Sequence, residues 1–144
     1  YKYRTMKNDS HTERDALEQL NTHSGPLFKI DDDPRLLKGA KKLRRWSLDE
    51  LPQFINVLKG DMSVVGPRPL FVEDSENFNR EYLRRLNVLP GITGLLQINE
   101  RNTDDFDIWF KYDLQYLENW SIWLDIEIIL KTPFSLFKKD IQGK

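Results

Sequence analysis

Seven prolines divide this 144-residue chain, and their placement constrains its fold more than any other feature. Proline fixes φ and has no N–H, so it is tolerated in turns and in a helix's first turn but not inside regular elements. Pro26 follows Gly25, and Pro34 follows three aspartates. Pro52 interrupts a helix start, and Pro67 and Pro69 flank Arg68. Pro90 precedes Gly91, and Pro133 follows the most apolar stretch. The segments left between them predict a single α/β mixed domain, helix-dominated with a few short strands and not doubly wound.

The chain is long enough to bury a core. With 31% charged and 39% hydrophobic residues it has the composition of an ordinary folded domain. The absence of cysteine excludes disulfides and thiolate metal sites, and two histidines in a polar region do not make a zinc site. A metal here is therefore expected to be a hard cation on oxygen ligands. The net charge of −1 hides local segregation: Lys38, Lys41, Lys42, Arg44 and Arg45 form a block without acids. Charge near zero overall, with aromatics away from that block, argues against nucleic acid as a partner. No run of about 18 apolar residues could span a bilayer. The chain opens in mid-pattern at Tyr1-Lys2-Tyr3-Arg4, so a fragment of a longer protein is expected.

Taken in order, residues 1–6 alternate aromatic and basic side chains and suit a short strand. Residues 7–24 are polar and suit a loosely held helix or a loop, and residues 27–30 a brief strand. Asp33 with Pro34 predicts a helix start, the helix running to Trp46 with Leu36, Leu37, Ala40 and Leu43 on its apolar side. The three aspartates, 31–33, admit either a cap with solvated acids or a metal site. The basic block beside that helix is either a solvated face or a phosphate or anionic-lipid surface.

Ser47-Leu48-Asp49-Glu50-Leu51-Pro52 comes next. Ser47 and Glu50 have capping-box spacing, and Leu51, Phe54, Ile55 and Leu58 fall on one helical face. Pro52 disfavours Ser47 as the cap and moves the start to Asp49. Either way two adjacent carboxylates stand at the positive end of a helix, as plain caps or as a site for chemistry on phosphate. Gly66-Pro67-Arg68-Pro69 then forms a stiff loop, which lowers the entropy lost when Arg68 grips a phosphate. Beyond it, residues 71–89 predict one long helix with Phe78, Tyr82, Leu83 and Leu86 inward. Pro90-Gly91-Ile92-Thr93-Gly94 predicts a turn, and residues 95–99 a strand. Residues 107–130 predict a helix ended by Thr132-Pro133, lying in the core or in a membrane interface.

Arg44-Arg45-Trp46-Ser47-Leu48-Asp49-Glu50-Leu51-Pro52-Gln53 resembles the signature of the bacterial sugar transferases, the monotopic phosphoglycosyl transferases. So do Val65-Gly66-Pro67-Arg68-Pro69, Pro90-Gly91-Ile92-Thr93-Gly94, Gln97-Ile98-Asn99, Arg101-Asn102 and the stretch from Glu118 through Asp125. The likeness extends from Lys2-Tyr3-Arg4-Thr5-Met6 over almost the whole chain. Glu100, where the family usually has Gly, and Leu95, where it has an aromatic, depart from the pattern.

The resemblance implies a membrane-associated catalytic domain at the cytoplasmic face of a bacterial inner membrane, entered by an N-terminal helix not contained in this sequence. The implied reaction passes a sugar-1-phosphate from a UDP-sugar to a polyprenyl phosphate and releases UMP. It initiates exopolysaccharide, capsule or other glycoconjugate assembly. Asp49 falls on the family's nucleophile, which forms a phosphosugar-aspartyl intermediate. Glu50, with Asp49, falls on the position that holds Mg²⁺, and Arg44, Arg68 and Arg101 on phosphate-binding positions. The membrane surface is an implied partner, and a homodimer is compatible with it. The alternatives are a metal-dependent phosphohydrolase using the same carboxylates and a non-catalytic membrane-peripheral scaffold.

Overall fold

A computed structural model describes residues 1–10, 13, 15–21, 30, 33–70, 72, 78–100, 103 and 105–138. In chain order its regular elements are α1 (Ala40–Arg45), α2 (Gln53–Leu58), β1 (Ser63–Val65), β2 (Gly91–Thr93), α3 (Leu95–Asn99), α4 (Phe106–Asn119) and α5 (Ile122–Lys138). Short 3₁₀ turns lie at Asp15–Leu20, Leu48–Glu50 and Tyr82–Asn87. Helix dominates, as expected, and the described residues form one two-stranded sheet.

β1 and β2 pair in parallel, with Ser63 opposite Gly91 and Val65 opposite Thr93. Backbone crosses backbone tightly beside this pair. A Cβ on Gly91 would lie 2.1 Å from the Gly66 nitrogen, and one on Gly94 would lie 2.4 Å from the Gly66 oxygen. Residues 90–94, expected as a turn, thus carry β2, and the glycines at 91 and 94 are a steric requirement of the crossing.

The core forms around these strands and α4. Val65, Tyr116 and Ile128 make one cluster, and Leu96, Phe106 and Trp109 a second. α4 supplies Tyr116 to the first cluster and Phe106 and Trp109 to the second, so it ties the two halves together. Tyr82 adds an edge-on contact to Phe106, with ring centroids 4.9 Å apart.

Several expected elements differ. The helix expected from Pro34 begins only at Ala40. Oδ1 of Asp33 accepts from the Arg35 N–H at 2.9 Å in a local turn, Leu36 pairs with Met6 in an isolated antiparallel bridge, and Gly39 is left-handed at φ 82°. Residues 1–6 form no strand: among the described residues their β-pairing is that one isolated bridge, with single backbone hydrogen bonds from Tyr3 and to Thr5 beside it. The strand expected at residues 27–30 lies, but for Ile30, outside the described residues; in the 7–24 segment, expected as a loosely held helix or a loop, Asp15–Leu20 is wound as 3₁₀ turns.

The helix expected over residues 71–89 is not continuous in its described part: Val72 is helical, Phe78 and Asn79 are not, and Tyr82–Asn87 is wound as 3₁₀ turns. Of the four side chains expected inward, Phe78 and Tyr82 pack against the core, but Leu83 and Leu86 are exposed, Leu86 at 62%, and Arg85 is buried in their stead. Residues 95–99 form α3 rather than a strand, entered through the fully extended Gly94 and burying Leu96. The stretch expected as one helix over 107–130 is two. The break falls at Trp120, and Ser121 Oγ accepts from the Leu124 N–H at 3.1 Å to start α5. α5 then runs through Pro133. Around that missing N–H, the Thr132 hydroxyl donates to Ile128 O and the Ser135 hydroxyl to Thr132 O, each at 2.8 Å.

Candidate active site

The two carboxylates lie in the 3₁₀ turn Leu48–Glu50, one turn before α2. Ser47, at φ 54°, makes no side-chain cap there, and α2 starts after Pro52 with no side-chain cap of its own. Neither capping arrangement expected from sequence is formed. The Asp49 side chain is thus not spent on backbone N–H groups.

An extended arm, residues 1–7, is laced to this turn and to the segment before α1. Tyr3 N–H donates to Asp49 O at 2.9 Å, Leu37 N–H to Thr5 O at 3.0 Å, and Lys7 N–H to Arg35 O at 2.9 Å. The lacing brings Lys2 onto the dyad. Its ammonium lies 3.2 Å from Asp49 Oδ2 and 3.2 Å from Glu50 Oε1. Asp49 is only 2% exposed, so this positive charge meets a carboxylate removed from water. Arg68 approaches from the other side, its Nη2 donating to Glu50 Oε1 at 2.8 Å.

Arg44, on α1, donates from Nε to the Thr5 hydroxyl at 2.9 Å. Burial pushes its guanidinium below the ordinary value; the Asp49 and Asp33 charges pull it back up, and Arg35 and Arg68 oppose them. Arg44 therefore shares one electrostatic neighbourhood with Asp49 and Arg68.

The loop that carries Arg68 is fixed at four successive residues. The Gly66 N–H donates to Thr93 O at 2.9 Å, and Pro67 O accepts from the Gly91 N–H at 2.8 Å. The Tyr116 hydroxyl lies 2.8 Å from Asp125 Oδ1 and 3.2 Å from Val65 O, sharing its one proton between them. Burial, and then Asp125, push that hydroxyl's pKa up, so it stays protonated. Arg68 O accepts from Arg85 Nη2 at 2.7 Å. Gln97 lies beneath the same crossing, and neither of its amide atoms has a hydrogen-bond partner among the described residues.

Four of the five residues singled out from sequence thus come together: Arg44, Asp49, Glu50 and Arg68. Arg101 lies outside the described residues, as do Asp31 and Asp32. Asp33 is committed to Arg35, which grips both its oxygens at 2.8 and 2.6 Å, and this pairing holds its carboxyl below the usual range. Lys2, in contact with both carboxylates, is a residue of the candidate site that sequence reasoning missed. The alternation Tyr1-Lys2-Tyr3-Arg4 carried its signal, because it separates the two cations from the two tyrosines.

As a metal site the dyad supplies two hard oxygen donors, and no group of three or more candidate ligands exists among the described residues. Two carboxylates with substrate phosphates completing the shell is a usual Mg²⁺ arrangement. The Lys2 ammonium between an oxygen of each shows that the turn favours positive charge at that point. These residues fit the ion.

A family model described as bacterial sugar transferase matches residues 1–139. The chain belongs to the bacterial sugar transferase family. It is similar to the galactosyl transferase CpsE of Streptococcus agalactiae, 52% identical over 133 residues, covering 92% of this chain and 30% of that protein. The undecaprenyl-phosphate galactose phosphotransferase of Salmonella typhimurium is 38% identical over 148 residues, covering 97% of this chain and 30% of that protein. The UDP-glucose:undecaprenyl-phosphate glucose-1-phosphate transferase of Escherichia coli is 48% identical over 114 residues, covering 74% and 25%. This bacterial sugar transferase sequence thus spans less than a third of the length of these relatives.

Proposed function

We propose that this chain is the catalytic part of a phosphoglycosyl transferase that moves a sugar-1-phosphate from a UDP-sugar to a polyprenyl phosphate, releasing UMP. One observation carries the reading: a buried Asp49 stands beside Glu50 with Lys2, Arg44 and Arg68 gathered around them. A carboxylate attacking a diphosphate meets anion–anion repulsion, so cations must be in place first. A plain helix cap has no use for three.

In the first step an Asp49 oxygen attacks the phosphorus that bears the sugar. The bond from that phosphorus to the oxygen of UMP breaks, and UMP leaves with the electron pair. In the second step a phosphate oxygen of the polyprenyl phosphate attacks the same phosphorus and frees Asp49. Lys2 covers Asp49 in this structure and is half exposed, so it moves onto the donor's phosphate as the donor enters. Arg68 and Arg44 hold phosphate oxygens and spread their charge. Glu50, with Asp49, would hold Mg²⁺, which supplies further charge neutralisation at the leaving oxygen.

Exposed apolar side chains fit a lipid acceptor. Leu51, Phe54, Ile55 and Leu58, which share one helical face by their spacing, are all solvent-exposed, Leu58 at 89%. They lie next in sequence to the basic α1. On α5, Trp123, Ile126, Leu130 and Phe134 are exposed along one side. No helix among the described residues is long and apolar enough to cross a membrane. These faces suit docking on a membrane surface, at the cytoplasmic side of a bacterial inner membrane. A shallow groove of about 460 Å³ lined by Tyr1, Lys2, Tyr3, Leu51, Pro52 and Ile55 joins the arm that carries Lys2 to the first of them.

The test is UMP release by the full-length protein from a panel of UDP-sugars. Release that requires polyprenyl phosphate is the expected result. UMP formed equally well without it would make the protein a phosphohydrolase, and binding without turnover a scaffold.

A further inference from the structure

Arg85 and Asp113 take no part in the chemistry above, yet they form a buried ion pair directly behind it. Arg85 Nε donates to Asp113 Oδ2 at 2.8 Å, and both side chains are about 95% buried. A pair of this kind gains little net stability over well-packed apolar side chains, because desolvating two charges offsets their attraction. Its geometry suggests a different use. The second arm of the same guanidinium, Nη2, reaches past the pair and donates to the backbone oxygen of Arg68 at 2.7 Å. Arg68 in turn places its own guanidinium on Glu50 Oε1 at 2.8 Å.

The contacts run in an unbroken line: Asp113 on α4 orients Arg85, Arg85 holds the backbone of Arg68, and Arg68 meets the dyad. The guanidinium suits this relay because it is planar, always charged and forked. One edge serves the carboxylate while another nitrogen serves the carbonyl, without a choice between them. The Phe78 ring, 6.0 Å from the Arg85 guanidinium carbon, adds a contact on the guanidinium. Two flanking prolines already stiffen the loop. A carbonyl fixed from the core determines which way the stiff loop points.

We propose that Arg85 and Asp113 are positioning residues, which aim the Arg68 guanidinium at the phosphate-transfer site by anchoring its main-chain carbonyl to α4. The proposal rests on the reading of Arg68 as a phosphate-binding residue. Misplacing a binding group by about 1 Å can cost about a hundredfold in rate, so the loss of one of several anchors should cost about tenfold.

The test is a double-substitution cycle on kcat/KM in the full-length protein, using Arg68→Ala, Arg85→Lys and Asp113→Asn. Arg85→Lys keeps a positive charge opposite Asp113 and removes the second arm; Asp113→Asn keeps the shape and removes the orienting charge. Each is expected to lower kcat/KM about tenfold when Arg68 is present and to have no further effect when Arg68 is already Ala, because each acts only through it. An equal fold-loss in both backgrounds, as a general weakening of the fold would give, overturns the proposal, and so does no loss in either. If Arg68→Ala itself leaves kcat/KM unchanged, the reading of Arg68 fails first and the positioning role falls with it.

Discussion

Lys2 sets its ammonium 3.2 Å from Oδ2 of Asp49, although the two lie far apart along the chain. The arm that delivers it is held by backbone hydrogen bonds to Asp49 and to the strand-like residues before α1. If Lys2 neutralises the dyad and then passes to the incoming diphosphate, its loss leaves two carboxylates facing that anion. Lys2→Ala in the full-length protein should lower kcat about a hundredfold, the usual cost of removing one preorganised charge-stabilising donor. Steady-state UMP release measures it, and unchanged kcat would remove Lys2 from the site.

The crossing of Gly91 over Gly66 should be intolerant of any side chain. A Cβ placed 2.1 Å from a backbone nitrogen cannot be relieved by rotating a side chain. Gly91→Ala should cost roughly 3 kcal/mol, the upper end of overpacking penalties, and shift the Arg68 loop. Denaturant unfolding would show the loss. A variant as stable as the parent would mean that the strands part more easily than this packing implies.

Asp113 gives a pH dependence with a defined sign. Burial raises its carboxyl from the ordinary 3.8 to about 6, with Arg85 opposing. A raised folded-state value means that the folded protein holds this proton more tightly than the unfolded chain. Its contribution to stability is therefore full below about pH 4 and lost as pH rises through 6. The difference corresponds to about 3 kcal/mol. Unfolding free energies of the parent and of Asp113→Asn, compared from pH 4 to 7, should diverge by that order, the parent losing relative to the variant. A constant difference would show that Arg85 fully offsets the burial.

Much of the site was legible in the sequence because its residues are consecutive or lie on rigid turns. Asp49 and Glu50 are adjacent, and Pro67 and Pro69 mark the Arg68 loop whatever surrounds it. What stayed hidden depends on contacts between distant segments. Arg85 reads as polar surface beside Leu86, and only the folded chain shows the arginine inside and the leucine out. The strand expected at 95–99 and the helix at 106–119 have similar apolar density, and short apolar runs do not separate the two states. Pro133 was expected to stop a helix, but neighbouring hydroxyls, Thr132 and Ser135, bond main-chain carbonyls around it. Leu51, Phe54, Ile55 and Leu58 do show helical spacing, but spacing cannot say whether a face meets a core or a lipid.

Trp123 decides between those last two destinations on α5. It is 76% exposed, so Trp123→Ser removes little from the core. Co-sedimentation of this chain with vesicles containing anionic lipid should fall about tenfold in affinity on that substitution, with thermal stability unchanged, as expected for an interfacial tryptophan. Equal vesicle binding by parent and variant would take α5 out of the membrane contact.

The central claim is that Asp49 forms a covalent bond to phosphorus. Full-length protein quenched after mixing with a UDP-sugar, without polyprenyl phosphate, and examined by peptide mass spectrometry, tests it directly. A phosphosugar adduct is expected on the peptide carrying Asp49, absent from Asp49→Asn and discharged by added polyprenyl phosphate. Full turnover by Asp49→Asn, or an adduct on another residue, would contradict it.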